Sequence, residues 1–231
     1  MTKSFSLVLP CYNEEENIKH TINDVNLWIK KNNIDCEIIC VDDGSTDSTH
    51  QILKDLSEEF SHLRIVTLEN NSGYGAAIRA GLDLATKEVL GFMDSDRQFN
   101  VNDISMLLPH LEKYDFVTGR RKKRADSFIR NILGKILGLL TWIAFGLWVR
   151  DINCGMKIFR KDIWGKIHTE NGTEKFFNTE IFLNLRREKI DWIQIPVPHY
   201  PRIAGTPNGA STRVIFGMIK EFRDLRKRRK F

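Results

Sequence analysis

The chain has 231 residues, 42% hydrophobic and 28% charged, which suits one globular domain with a sizeable core and leaves little room for a second. Its 14 Phe, 5 Trp and 4 Tyr are spread without low-complexity runs, and its four cysteines include no C-x-x-C pair; a long disordered segment and a disulfide scaffold are both excluded. The net charge of +5 sits at one end, because from Ile219 to Phe231 seven bases stand against two acids.

In chain order, Met1-Thr2-Lys3-Ser4 runs straight into a strand over 6–9 closed by Pro10. No charged-then-apolar leader is read there, so a cytosolic-side protein with reduced, buried cysteines is expected. Asn13 with Glu16 reads as an N-cap and its capping-box partner, opening a helix to about Lys31. Residues 37–41 are an apolar run typical of a strand buried on both faces. Asp42-Asp43-Gly44-Ser45 breaks it, and a helix follows to about Phe60. Strands over 64–68 and 89–93 flank a helix over 76–86, and the second of them runs into Asp94-Ser95-Asp96. Leu107, Leu108 and Leu111 give the next helix an apolar face, and 116–118 is a fifth strand.

This alternation predicts an α/β fold, a mostly parallel doubly wound sheet with helices on both faces and ligands beyond the carboxyl ends of its strands. Both acidic clusters fall at such ends, which the reading takes to be neighbouring. The second half is less regular. Residues 132–149 carry a single charge, Lys135, short for a bilayer span and suited to a core helix or one lying in the membrane interface. Strands over 156–159 and 192–197 bracket a helix near 180–187. A final basic helix runs from about 212 to 231. That helix and Arg120-Arg121-Lys122-Lys123-Arg124 suit an anionic lipid surface, nucleic acid or solvent.

Asp94 and Asp96, one residue apart at a strand end and followed by Gln98, offer the oxygen ligands that a hard divalent cation prefers to share with water and substrate phosphates. Alone, such a pair is more often a turn or cap, and Asp42-Asp43-Gly44-Ser45 has the same weakness. Two clusters together would repel one another unless a cation and a donor-rich ligand lay between them. Gly73-Tyr74-Gly75 opens a helix, but Ile78 stands where a dinucleotide fingerprint needs its third glycine, and no G-x-x-x-x-G-K-[ST] phosphate loop exists.

Leu9-Pro10-Cys11-Tyr12-Asn13-Glu14, Val41-Asp42-Asp43-Gly44-Ser45-Thr46-Asp47, Asn71-Ser72-Gly73-Tyr74-Gly75 and Asp94-Ser95-Asp96-Arg97-Gln98 come in the order seen in family 2 glycosyltransferases. Within that family the chain resembles dolichyl- or polyprenyl-phosphate mannosyl- and glucosyltransferases over roughly residues 5–215. Gly119-Arg120-Arg121 is similar to that group's Gly-Ser-Arg, and Asp151 to Arg160 resembles a further block. The resemblance implies a single GT-A domain over 1–231, with an apolar interfacial region at about 128–150. It implies Mg2+ or Mn2+ held by Asp94, Asp96 and Gln98, and a nucleotide site of Pro10, Tyr12, Glu14, Asp42, Asp43 and Ser95. Arg121 and Arg202 would contact phosphates, which with Asp94 and Asp96 makes four catalytic candidates.

The implied reaction is inverting transfer of mannose or glucose from a nucleotide-diphospho-sugar to a polyprenyl (dolichyl or undecaprenyl) phosphate. It would take place at the cytoplasmic face of a membrane, by a peripheral or monotopic protein on an anionic lipid surface. A phosphate nucleophile needs no strong base, in keeping with the lack of an obvious catalytic histidine; His199 reads as structural. Departures exist: Arg120 replaces Ser, and the loop after Arg202 and Gly205 lacks the group's Ser-Lys pair. A glycan or other non-lipid acceptor therefore stands as the alternative. Nucleic acid is not expected, because it leaves the acidic strand ends unexplained. A membrane-protein partner or a homo-oligomer stays open.

Overall fold

A computed structural model describes residues 4–122, 138–139, 141–170, 172 and 176–204. The expected basic helix over 212–231 and much of the 128–150 region lie outside them. The first half alternates β1 (Ser4–Cys11), α1 (Ile18–Asn32), β2 (Asp35–Asp42), α2 (Thr49–Glu59), β3 (Leu63–Thr67), α3 (Tyr74–Leu84) and β4 (Val89–Met93). Then follow α4 (Ile104–Leu107), β5 (Phe116–Arg121), β6 (Met156–Arg160), α5 (Trp164–Ile167), α6 (Phe176–Arg187) and β7 (Trp192–Val197). The strands form one seven-stranded sheet in the order β3-β2-β1-β4-β6-β5-β7. Every pairing is parallel except those of β6, which runs antiparallel to both β4 and β5.

The expected α/β class therefore holds, and its physical basis is plain in β1. Leu7 and Leu9 enter the core under α1 and α2, while Val8 enters the opposite core under α3 and α6, the period-two alternation of a strand covered on both faces. On α1, Ile18, Ile22, Val25 and Trp28 are buried at helical spacing. That helix stops where Asn33 turns left-handed (φ 49°) and returns its N–H to the Ile29 and Lys30 carbonyls, with Lys30 and Lys31 suited to its negative end. All four cysteines are buried and free.

Three local expectations are corrected. Asn13 does not cap α1, which begins four residues beyond the expected helix start, after Asn17. Asn13 is itself left-handed (φ 54°), and its side chain accepts from the Thr46 N–H at 2.8 Å, so tertiary pairing with the β2–α2 loop outcompetes capping. The leucine-rich helix is broken into a turn at Val101–Asp103, α4 and a second turn at Leu108–Glu112, because Pro109 supplies no N–H for continued α pairing. The two acidic strand ends are not neighbours: β1 lies between β2 and β4, so its own terminus, Cys11 to Glu14, is interposed.

Helix α3 reaches the sheet through a glycine. A Cβ at Gly81 would stand 2.5 Å from Val8 Cγ1 and 3.0 Å from Val41 Cγ2, so only a missing side chain permits this approach. Gly81→Ala is expected to lower stability by about 1–3 kcal/mol through overpacking, despite alanine's better helix propensity. Urea unfolding decides it, since an unchanged or raised midpoint would show that the contact yields freely.

Candidate active site

Three strand ends build the site. At the end of β2, Asp42 is turned inward: its Oδ1 accepts from the Ser45 N–H (3.0 Å) and its Oδ2 meets His50 Nδ1 (3.0 Å). Asp43 accepts from two successive N–H groups, Ser72 at 2.7 Å and Gly73 at 2.9 Å, a presentation that Gly73 permits with φ 98°. Burial pushes the Asp43 carboxyl above its ordinary value, and those two N–H groups oppose the rise.

At the end of β1, the Pro10 carbonyl accepts from Ser95 Oγ at 2.7 Å, which ties the β1 and β4 termini together. Pro10 is tolerated inside β1 because that strand pairs with β4 only as far as Val8↔Phe92. Tyr12 is partly buried beside it. Glu14 is buried, with Oε2 accepting from Asn17 Nδ2 (2.7 Å) and Oε1 paired with Arg202 (2.5 Å). Burial raises its carboxyl from the ordinary range, and Arg202 works against the rise.

At the end of β4, Asp94 accepts from the Tyr74 hydroxyl at 2.8 Å, and its N–H donates to the Gly155 carbonyl at 3.1 Å. A Cβ at Gly155 would lie 1.9 Å from Asp94 Oδ2, so the start of β6 is shaped to this carboxylate. Asp96 accepts from the Gln98 N–H (3.1 Å) and lies 3.5 Å from Arg202. Gln98 Nε2 in turn donates to the Tyr200 carbonyl (3.2 Å), and the Tyr200 N–H donates to the Gln98 carbonyl. Burial, followed by the neighbouring Asp94 charge, pushes Asp96 up to about 7, and burial raises Asp94 and the Tyr74 phenol as well.

Arg121, at the end of β5, forks onto Asp151 with Nε–Oδ2 at 2.8 Å and Nη2–Oδ1 at 2.6 Å. This bidentate, largely buried pair fixes the guanidinium's plane, and Nη2 also donates to the Asn153 carbonyl (3.4 Å). Lys157 of β6 is fully buried, over the rings of Phe92 (5.2 Å) and Phe182 (6.0 Å), with its Nζ donating to the Cys154 carbonyl. Burial brings it down to about 8. A cavity of about 430 Å³ opens beside Arg202, bordered by Thr21, Arg97, Phe99 and Tyr200; His199 packs edge-on against Phe99 at 5.1 Å.

The predicted residues therefore converge unevenly. Glu14, Asp94, Asp96 and Arg202 meet in one charged cluster; Pro10 and Ser95 pin its backbone; Asp43 stands across β1; Asp42 points into its own loop; Arg121 is held at the β5–β6 side. Sequence reasoning missed two participants. Tyr74 was visible only as the middle of a glycine pair, and Lys157 only as a lone base inside the apolar Met156–Phe159 run. Among the described residues no three His, Cys, Asp or Glu side chains converge into a preformed metal cage. Two adjacent half-buried carboxylates, raised chiefly by that burial, nevertheless fit Mg2+ or Mn2+, which are ordinarily bound by one or two carboxylates with substrate phosphates and water completing the shell.

Comparison with known proteins agrees with this geometry. The model of glycosyl transferase family 2 matches residues 6–182. The chain belongs to that family, and its architecture is the GT-A fold of such glycosyltransferases. A dolichyl-phosphate beta-glucosyltransferase of Trichomonas vaginalis is 29% identical over 95% of the chain and 71% of that relative. A dodecaprenyl-phosphate galacturonate synthase of Rhizobium johnstonii is 36% identical over 68% of the chain; the chain matches about half (48%) of that protein's length. Among solved structures, mannosyl-3-phosphoglycerate synthase from Rubrobacter xylanophilus superimposes with a TM-score of 0.70 at 15% identity, covering 99% of this chain and 76% of that one. Glucosyl-3-phosphoglycerate synthase from Mycobacterium tuberculosis, solved with Mg2+ and uridine diphosphate, gives 0.68 at 20% identity, covering 95% and 79%.

The raised Asp96 carboxyl yields a signed prediction. The folded chain holds a proton there that the unfolded chain releases near the ordinary aspartate value of 3.8, so this group's contribution to stability falls as pH rises from about 4 through about 7. A cation bound between the carboxylates relieves the same repulsion. The rise in Tm on adding Mn2+ is therefore expected to be about twofold larger at pH 8 than at pH 6. Equal rises by scanning calorimetry would remove Asp96 from the metal site.

Proposed function

We propose that this protein is an inverting, divalent-metal-dependent hexosyltransferase that moves glucose or mannose from a nucleotide-diphospho-sugar to a polyprenyl phosphate at the cytoplasmic face of a membrane. The observation that carries the reading is the Asp94–Asp96 pair at the end of β4, separated by β1 from an Asp43 already oriented by two N–H groups. The names of the curated relatives, which act on dolichyl and dodecaprenyl phosphates, support the acceptor class.

On this reading Pro10, Tyr12, Glu14, Asp42, Asp43 and Ser95 form the nucleotide side, and Asp94, Asp96 and Gln98 would hold Mg2+ or Mn2+. When bound, the cation offsets the charge gathering on the departing diphosphate. Arg202 leaves Glu14 and Asp96 for phosphate oxygens once other positive charge neutralises those acids. Arg121, its plane set by Asp151, lends its charge to the acceptor phosphate. The phosphate oxygen attacks the anomeric carbon opposite the leaving diphosphate, so no residue is required to remove a proton.

A membrane surface is supported by exposed apolar side chains between residues 139 and 148. Leu139, Trp142, Ile143 and Trp148 are 49–67% exposed, and the two tryptophans meet edge to face at 6.2 Å. Tryptophan is the side chain best suited to the headgroup boundary. No helix among the described residues is long and apolar enough to cross a membrane.

Two measurements test the proposal. Asp96→Asn keeps the side chain's shape and removes a charged ligand; turnover is expected to fall at least ~100-fold, and wild-type transfer that survives EDTA would overturn metal dependence. Transfer to a polyprenyl phosphate should far exceed transfer to the same alcohol without phosphate, whereas equal rates would move the acceptor to a glycan or other non-lipid molecule. For the surface, the double change Trp142→Ser with Trp148→Ser should weaken co-sedimentation with anionic vesicles about tenfold while sparing donor binding in solution. Unchanged sedimentation would discard this patch as the docking face.

A further inference from the structure

Asn178 stands in the first turn of α6 and is only 2% exposed. Its Nδ2 donates to Asn153 Oδ1 at 3.3 Å, and its Oδ1 is left buried without a hydrogen-bond partner. The adjacent Thr179 Oγ1, on a residue 1% exposed, is in the same condition. Native proteins rarely leave such atoms unsatisfied, and two side by side point to a ligand that completes them.

Their position says which ligand. Phe177, the preceding residue, fills the space over Gly75, next to the Tyr74 whose hydroxyl holds Asp94. Asn153 lies two residues before Gly155, whose carbonyl receives the Asp94 N–H, and its own carbonyl receives Arg121. Two independent sets of contacts thus bring the start of α6 to the groups that hold Asp94, Tyr74 on one side and the Asn153–Gly155 backbone on the other.

We propose that Asn178, with Thr179 and Asn153, forms the subsite for the transferred sugar and hydrogen-bonds its ring hydroxyls. The inference rests on the nucleotide-sugar reading above and deepens it. Asn178 Oδ1 is an acceptor and needs an O–H or N–H. An ionised phosphate offers neither, although a helix N-terminus alone would have suggested one; a sugar hydroxyl offers a donor and accepts in return from Thr179. Beyond Asp94, where the diphosphate is expected to end, the next group of the donor is its sugar.

The test compares nucleotide with nucleotide sugar, by titration calorimetry in Mn2+ with UDP, UDP-glucose, GDP and GDP-mannose. For whichever nucleotide binds wild type, Asn178→Ala is expected to leave nucleoside-diphosphate affinity within about twofold and weaken the matching nucleotide sugar about tenfold. Thr179→Val, of nearly the same shape, should weaken the sugar form selectively as well and guards against a folding defect in the alanine variant. If both variants bind nucleotide and nucleotide sugar as wild type does, the subsite is overturned while the donor reading stands. If wild type binds none of the four, the donor reading fails and takes the subsite with it.

Discussion

Carboxylates crowd the ends of β1 and β4, and the free energy of keeping them there organises the neighbourhood. Glu14, Asp94 and Asp96 are all raised above their ordinary values by burial, and Arg202 is the cation that touches two of them. Taking charge out of water is costly unless it is matched. The arrangement therefore favours whatever brings positive charge, whether a proton, a guanidinium or a divalent ion. A site held in this condition binds a cation more firmly than exposed carboxylates could, because the unbound state already carries the repulsion.

The rest of the fold holds that cluster still. The doubly wound half supplies the strand ends, and the reversed strand β6 lies directly against β4 from Val89↔Arg160 to Met93↔Met156. Through it Asp94 acquires a backbone partner at Gly155 and a buried cation beneath, Lys157, whose charge lowers the Asp94 carboxyl. The doubly wound half and the β6–β5–β7 half are thus not loosely apposed. They share a hydrogen-bonded seam, and the acid at its end belongs to both.

Much of this was legible in the sequence, for identifiable reasons. Strand 89–93 was read to the residue because a strand covered on both faces must be apolar throughout and its acidic end is abrupt. The Asp94-Ser95-Asp96 motif was legible because two acids one residue apart stand out at the end of an apolar strand. What escaped was whatever depends on partners distant in sequence. Asn13 carries every local mark of a cap, yet Thr46 claims its side chain. Arg121 looks like a phosphate ligand, and only the fold reveals that Asp151 already grips it. The spatial order of strands, which separates Asp43 from Asp94 by one strand, has no local signal at all. Asn178 and Thr179 are ordinary polar residues of a helix until their burial is known.

The antiparallel pairing of β5 with β6, Phe116 opposite Phe159 and Thr118 opposite Lys157, brings the end of one strand beside the start of the other. Residues 122–150 accordingly leave and re-enter the sheet through a narrow neck, which the Arg121–Asp151 fork closes. A segment tethered in this way is nearly independent of the framework in length: each doubling costs only about 0.6 kcal/mol of closure entropy. The segment is nevertheless anchored beyond the neck, because Phe145 and Leu147 are buried in the core that α3 and α6 cover and Arg186 donates to the Phe145 carbonyl. Insertions between the neck and that anchor are thus the changes of length that the strand register tolerates most cheaply.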